Sequence, residues 1–382
     1  MKFRKIRFFI IGLTAFGLMS FNWDRVELES RAFVITLAID ADEKGQFSVA
    51  MNIPDTRAIA EEKDEEARMF SATGSTLSSA ISAIDRKMSN SVYFGHTKTI
   101  ILGEGLLNNP NLLQEAIDTM ERENELNAKS IVLATDKPIA DILSAKPHGQ
   151  SLLGIYVSNF YNNSENSASI MDKLDLEVLI AHLIHGGDAI IPRISIEGDK
   201  DEEELIIAGA ALITDFALMS FAGEEDLAGL LWFRKGANTG LRTVNSGLDS
   251  ESHASIAINR SHGNFSFEQE NGRLICVADV SIAGHLESYR FLSSDLSNQG
   301  NLRNLESLFE ESISKEINEL FKFFREDVNI DGFDLRDRLH KLHYGLYRKY
   351  GADDEALWAQ LYQDMVFRPQ VSVRIIDTGA VK

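Results

Sequence analysis

The chain has 382 residues, 44% of them hydrophobic and 9% aromatic, enough apolar material for two or three packed domains and too much for a disordered polymer. Its formal net charge is −20, and because residues 1–22 hold Lys2, Arg4, Lys5 and Arg7 with no acid, the remainder carries −24. Such a surface excludes nucleic acid as a partner and disfavours lying flat on anionic lipid, and the single cysteine, Cys276, excludes an intramolecular disulfide framework or a multi-cysteine zinc site.

The four cations precede a mostly apolar run over residues 8–21, the layout of a secretory signal or membrane anchor. As a helix that run rises about 21 Å against a hydrocarbon core of about 30 Å, a marginal span on its own. Lys5 and Arg7 snorkelling at one end and Trp23 at the headgroup level at the other would narrow the deficit. The positive-inside rule places the cationic end in the cytoplasm and the body outside.

Residues 32–40 form an apolar strand, and Asp42-Glu43-Lys44-Gly45 turns the chain into a second strand over 46–53, a β-hairpin. Asp40, Asp42 and Gly45 suggest a calcium loop, but Lys44 stands where an oxygen ligand belongs and Met51 where the closing glutamate should be. The acidic run 61–66 reads as solvated. From Thr76, Leu77, Ala80, Ile81, Ile84 and Met88 recur at helical spacing.

Residues 93–103 form a strand entered through a turn at Gly95-His96. His96 either bonds this turn or serves as a general acid or base, and no nearby Ser, Cys or Asp builds a relay for the second role. A helix over 111–122, carrying Asp118 and Arg122, a strand over 128–134 and a helix over 139–144 complete a βαβ-like alternation.

Residues 151–185 read as helices with a polar break at 162–169. His182 and His185 sit on one helix face, either as half of a metal site or as helix-end residues before Gly186-Gly187. Residues 189–197 form a strand whose Pro192 requires an edge or a bulge. The acid-rich stretch 198–204 is the principal composition break, which divides the chain into an anchor at 1–22, a domain at 23–198 with a possible subdivision near 135, and a domain at 205–382.

Beyond the break, 205–213 and 216–221 read as a hairpin, 224–232 as an amphipathic helix, and 255–259 and 265–268 as strands. A turn at Asn271-Gly272 leads into a strand over 274–286, whose period of two makes Cys276 a core residue. A helix over 301–324 carries an apolar stripe including Leu305, Phe309, Ile313 and Ile317, with Glu306, Glu310, Lys315 and Glu319 off it, and such a stripe packs on its own sheet. Asp331-Gly332-Phe333 forms a turn, helices follow over 334–350 and 353–364, and a strand over 370–376 closes the body. His340 and His343 form another isolated pair. Nucleotide-binding, zinc-protease and serine-elbow motifs do not occur.

Four features stand in a fixed order: Trp23-Asp24-Arg25 after the apolar run, Gly95-His96 before a strand, the 205–232 unit ending in Leu230-Leu231-Trp232, and Trp358, Phe367 and Val371-Ser372-Val373-Arg374-Ile375 at the close. In that order the chain resembles the Ger(x)C family, the C subunits of spore germinant receptors. Members of that family carry a lipobox cysteine immediately before Trp-Asp. Asn22 occupies that position here, so the resemblance implies a member without a thioether lipid, held by its uncleaved leader or by partner subunits. It further implies an extracytoplasmic, non-enzymatic subunit at the spore inner membrane, beside A-type and B-type membrane subunits, coupling nutrient sensing to germination. No cofactor, metal or catalytic residue follows from it. Two other readings remain: a membrane-tethered cell-wall hydrolase using His96 with Glu104 or Asp118, and an extracytoplasmic protein that binds the nutrient itself. The expected fold is α+β and multi-domain, with mixed and antiparallel β-sheets flanked by helices behind the signal or anchor segment.

Overall fold

The computed structural model describes residues 30–54, 67–123, 125–145, 152–163, 171–185, 187–198, 204–233, 240–245, 253–290 and 299–377. The apolar leader, Asn22, Trp23-Asp24-Arg25 and the acidic run 61–66 lie outside them. No helix among the described residues is long and apolar enough to cross a membrane.

The first half is built on β1 (Arg31–Phe33), β2 (Thr36–Ala41), β3 (Phe47–Pro54), β4 (Ala67–Gly74), β5 (Ser91–Tyr93), β6 (Thr99–Gly103), β7 (Ile131–Thr135) and β8 (Asp188–Glu197). Between them run α1 (Leu77–Asp85), α2 (Glu104–Leu107), α3 (Pro110–Arg122), α4 (Ile139–Ser144), α5 (Leu153–Asn162) and α6 (Leu176–His185). The single strand expected over 32–40 is two. At the break, the Val34 N–H donates to Tyr93 and the Ile35 N–H to Asn52, while the Ile35 carbonyl accepts from Lys98 and Thr99. These bonds send β1 to pair with β5 in a sheet of its own and β2 to pair with β3 and β6. The turn over 42–45 needs no cation, because Asp42 Oδ1 accepts the N–H groups of Lys44 and Gln46 and Gly45 supplies the positive φ. β2, β6, β7 and β8 are parallel, as the alternation requires.

The sheet does not stop at the composition break. β9 (Glu204–Thr214) pairs antiparallel with β8 from Glu197↔Glu204 to Asp188↔Thr214, and β10 (Ala217–Ala222) adds the last strand, for an order β10-β9-β8-β7-β6-β2-β3-β4. Pro192 therefore lies inside the sheet, accommodated by a register shift between Pro192 and Ile194. Alternation along β9 serves two cores: Ala211 and Ile213 pack with Ile39, Ile100 and Leu179, whereas Ala210 and Leu212 pack with Trp232 and Phe309. Gly209 has φ +72°, and a Cβ there would lie 2.3 Å from the Ala222 carbonyl oxygen, so the hairpin closes only around a glycine.

The second core is covered by a sheet of order β11-β12-β13-β14, formed by Leu241–Asn245, His253–Glu270, Arg273–Arg290 and Val366–Asp377. The two strands expected within 255–268 are one, and Gly263 pairs with Val280 inside it. A Cβ at Gly263 would meet the Trp232 carbonyl at 2.6 Å, so this glycine admits a neighbouring segment instead of ending a strand. The helix expected over 224–232 is a short α7 (Glu224–Leu227) continuing as a 3-10 helix, Ala228–Phe233. The long helix α8 (Gln299–Lys322) buries Leu305, Phe309, Ile313, Ile317, Leu320 and Phe321 and runs into a π-helical turn, Phe323–Val328. Three short helices follow: α9 (Leu335–Leu342), α10 (Tyr344–Lys349) and α11 (Glu355–Asp364). The helix expected over 334–350 is thus divided at His343, whose φ of −137° leaves the helical region.

Glu306 and Glu310, off the apolar stripe, are nevertheless only 13% and 18% exposed. Their carboxylates accept the N–H groups of Ile375 and Val373 at 3.0 Å each along the open side of β14, with the Arg303 guanidinium holding both. An edge strand is a template for pairing with another chain, and here two side chains occupy its donors. Glu306→Ala combined with Glu310→Ala should cost roughly 2 kcal/mol in urea denaturation and raise concentration-dependent self-association in sedimentation. Unchanged stability and association would mean that β14 does not depend on this cover.

Candidate functional site between the two cores

A cavity of about 280 Å³ opens where the halves meet, bounded by Asp188 and Ile190 of β8, His182 of α6, Phe233, and Asp331 and Asp334 before α9. Local sequence shapes its floor. Asp334 adopts a left-handed conformation (φ +54°) and makes no side-chain cap, so Asp331 caps α9 from outside. Its Oδ1 accepts the Leu335 N–H at 2.9 Å and its Oδ2 the Arg336 N–H at 2.8 Å. Gly332 lets the turn lie against Phe324, whose ring a Cβ would meet at 2.3 Å.

Asp188 closes the joint from the other half. Its Oδ2 accepts the Asp331 N–H at 2.8 Å and its Oδ1 accepts the Thr214 hydroxyl. Burial pushes the Asp331 carboxyl up to about 7, against the two peptide N–H bonds and with help from the charges of Asp334 and Asp188. Burial likewise raises Asp188, with Asp215 and Asp334 adding to it. Nearby, Tyr362 donates its hydroxyl to the Ile330 carbonyl at 2.8 Å, and burial raises its phenol and the Cys276 thiol far above their ordinary ranges. Chemically this is a joint. The central carboxylate oxygens are engaged by peptide N–H groups and one hydroxyl.

Gly95 and His96 form the turn between β5 and β6, closed by the Thr97 N–H donating to Phe94 at 2.9 Å. A Cβ on Gly95 would lie 2.4 Å from the Tyr93 hydroxyl, so the tyrosine folds over the glycine. His96 is exposed, with its ring edge-on to Phe33 at 5.0 Å and Tyr93 at 6.0 Å. Asp118 is paired with Arg122 at 3.0 Å, Glu104 begins α2, and no hydrogen bond joins either acid to His96. His182 lines the junction cavity and its carbonyl accepts the Gly187 N–H that ends α6. His340 meets Tyr344 and Tyr347, whereas His343 meets Phe267, so that pair does not converge. No grouping of three or more His, Cys, Asp or Glu suited to a metal occurs among the described residues.

Sequence reasoning missed the joint itself. Asp188 falls just outside the strand expected over 189–197 and Asp331 inside an expected turn, and the local capping signal points to Asp334, immediately before Leu335, instead of to Asp331.

Comparison with known proteins covers both halves. Residues 24–196 match the family described as spore germination protein N-terminal domain, and residues 208–379 match spore germination B3/GerAC like, C-terminal. The chain is 22% identical to spore germination protein B3 of Bacillus subtilis (strain 168) over 372 residues, 94% of each chain. It is 19% identical to spore germination protein GerQC of Bacillus cereus, covering 83% of this chain and 84% of that one. The crystal structure of the GerBC protein superposes with a TM-score of 0.58 at 20% identity, over 89% of this chain and 96% of that chain, a likeness of fold.

Proposed function

Since the chain belongs to the Ger(x)C family of spore germination proteins, the GerAC-like receptor subunits, we propose that it is the extracytoplasmic, non-enzymatic member of a nutrient receptor. In this reading residues 1–22 anchor it at the spore inner membrane, residues 23–198 and 205–382 are its two domains, and it couples nutrient sensing to germination by holding the A-type and B-type membrane subunits. The observation that carries the reading is the junction. One strand, β9, belongs to both cores, and the acids at the centre tie backbone to backbone through Asp188 and Asp331 instead of facing a reactant. A body joined that way passes a displacement from one half to the other, which suits coupling.

Full-length tagged protein should be recovered from spore membranes together with multi-spanning subunits, and recovery as freely soluble protein in growing cells would overturn the assignment. His96→Ala addresses the hydrolase alternative. An exposed turn residue should change stability by no more than roughly 0.5 kcal/mol and leave nutrient-triggered germination intact, whereas germination lost at unchanged protein level would favour chemistry at His96.

A further inference from the structure

Two buried hydroxyls of the first half have nothing to bond. Thr36 of β2 and Thr99 of β6 stand opposite each other in their parallel pairing, both are 0% exposed, and neither Oγ1 has a hydrogen-bond partner among the described residues. The period of two puts them on the sheet face of Ala38 and Ile101, the face that α4 and α5 cover. Asn52 of β3 extends the polar row, opposite Thr36, and its Nδ2 donates to the Leu143 carbonyl near the end of α4 at 3.1 Å.

Above the row lies the first turn of α5. Leu152 stands at its cap position, and no side chain caps the helix. The Ile155 and Tyr156 N–H groups both donate to the Leu152 carbonyl, whereas those of Leu153 and Gly154, buried in the same turn, have no acceptor among the described residues. Gly154 rests on the threonine: a Cβ there would stand 2.9 Å from Thr36 Oγ1 and 2.7 Å from the Ile35 carbonyl oxygen, so the Thr36 hydroxyl is directed at the helix start. The Ile35 carbonyl is engaged already, by the N–H groups of Lys98 and Thr99. A buried polar group left bare carries its full desolvation cost, and chemistry selects what relieves it. An anion would lie against the Ile35 carbonyl oxygen with no cation in the row, and a cation would meet the positive end of a helix. A small neutral molecule that accepts from peptide N–H and exchanges hydrogen bonds with hydroxyls satisfies every group, and that is water.

We propose that one water molecule is bound between β2, β6 and the first turn of α5, held by Thr36 Oγ1, Thr99 Oγ1 and a peptide N–H of Leu153 or Gly154. It does the work of the N-cap that the sequence of α5 lacks, with the two strand hydroxyls fixing in place the acceptor that a Ser, Thr, Asp or Asn at position 152 would otherwise supply. The site is independent of the receptor reading.

Valine keeps the shape of threonine and removes only the hydroxyl, so Thr36→Val and Thr99→Val in the full chain decide the matter by sign. With the water bound, each variant takes away one of its partners, and the urea midpoint should fall. Hydroxyls that bond nothing would instead be relieved by valine, and the midpoint would hold or rise. Because the water is shared, the second substitution should cost much less in the double variant than it does alone. A crystal structure of the unsubstituted full chain gives a reading that does not depend on how the variants fold: an ordered oxygen should lie within hydrogen-bond distance of both Oγ1 atoms and of the Leu153 or Gly154 nitrogen. A midpoint that holds or rises in either valine variant overturns the site. Losses that simply add in the double variant overturn the sharing and with it the proposal. A map with no oxygen at that place, or one in which a peptide N–H of α5 donates directly to Thr36 Oγ1, overturns it as well.

Discussion

Trp232→Ala should lower the stability of the chain by about 3–5 kcal/mol, read as a shift of the urea midpoint with little change in slope. Trp232 is fully buried and heads the largest side chains of the second core. Its indole N–H donates to Glu316 Oε2 at 3.0 Å, and Arg242 of β11 bonds the other oxygen of that carboxylate while its guanidinium lies 5.8 Å from the indole ring. The Trp232 carbonyl accepts the Ser261 hydroxyl at 3.2 Å, beside the place where Gly263 lets the strand approach. One residue therefore binds the 3-10 segment to α8, β11 and β12. Alanine leaves a cavity and strips a half-buried glutamate of a donor. Trp232→Phe keeps most of the apolar volume and should cost only the donor lost from Glu316 Oε2, roughly 1–3 kcal/mol, with Arg242 still on the other oxygen. The two variants should rank in that order, and equal losses would mean that the hydrogen bond, not the packing, dominates.

The sequence was most legible where one physical signal acted alone. Thr76 with the spacing Leu77, Ala80, Ile84 specifies α1, and the structure adds the reciprocal bonds between Thr76 and Ser79. Asn271-Gly272, both at positive φ, specifies the β12–β13 turn, and the period of two places Cys276 inside. Legibility failed where tertiary pairing overrides local pattern. The run from Ala32 to Ile39 is apolar but for Thr36, so nothing in it reveals that Val34 and Ile35 bond to different partners. β4 buries no residue fully and alternates only from Met69 to Gly74, largely through small residues that give a weak apolar signal, and the five residues of β11 are too few to carry a period. Glu306 and Glu310 lie off the apolar stripe, yet they are drawn in by the N–H groups of a strand 63 and 69 residues away. The joint was hidden for a similar reason. Asp188 and Asp331 are separated by 143 residues, and each has an ordinary local explanation. The acid-rich stretch at 198–204 reads as a boundary, although β8 and β9 pair on either side of it.

Asp331→Asn should flatten the dependence of stability on pH between about pH 4 and 7. In the unfolded chain this carboxyl releases its proton near 3.8, whereas in the folded chain burial holds the proton until about 7. Between those values the folded form binds one proton more, so stability falls as pH rises. The contribution is fully present below 3.8 and lost as pH passes through about 7. A gap of that size corresponds to about 4 kcal/mol at most. Asparagine binds no proton and must lose this slope. It also replaces one oxygen that accepts a peptide N–H from Leu335 or Arg336 by an amide donor, so in the acid range, where wild type keeps its proton, the variant should be less stable by roughly 1–3 kcal/mol, and that deficit should shrink or reverse above about pH 7, where wild type has lost its contribution. Slope and offset are thus separable in one set of urea titrations. Asp188→Asn supplies the complementary test. It removes a negative charge that helps hold the Asp331 proton, so the upper end of the sloping window should move to lower pH while the slope itself survives. If wild type and Asp331→Asn kept parallel stability curves across the whole window, Asp331 would not be the group that links protonation to the joint between the two cores.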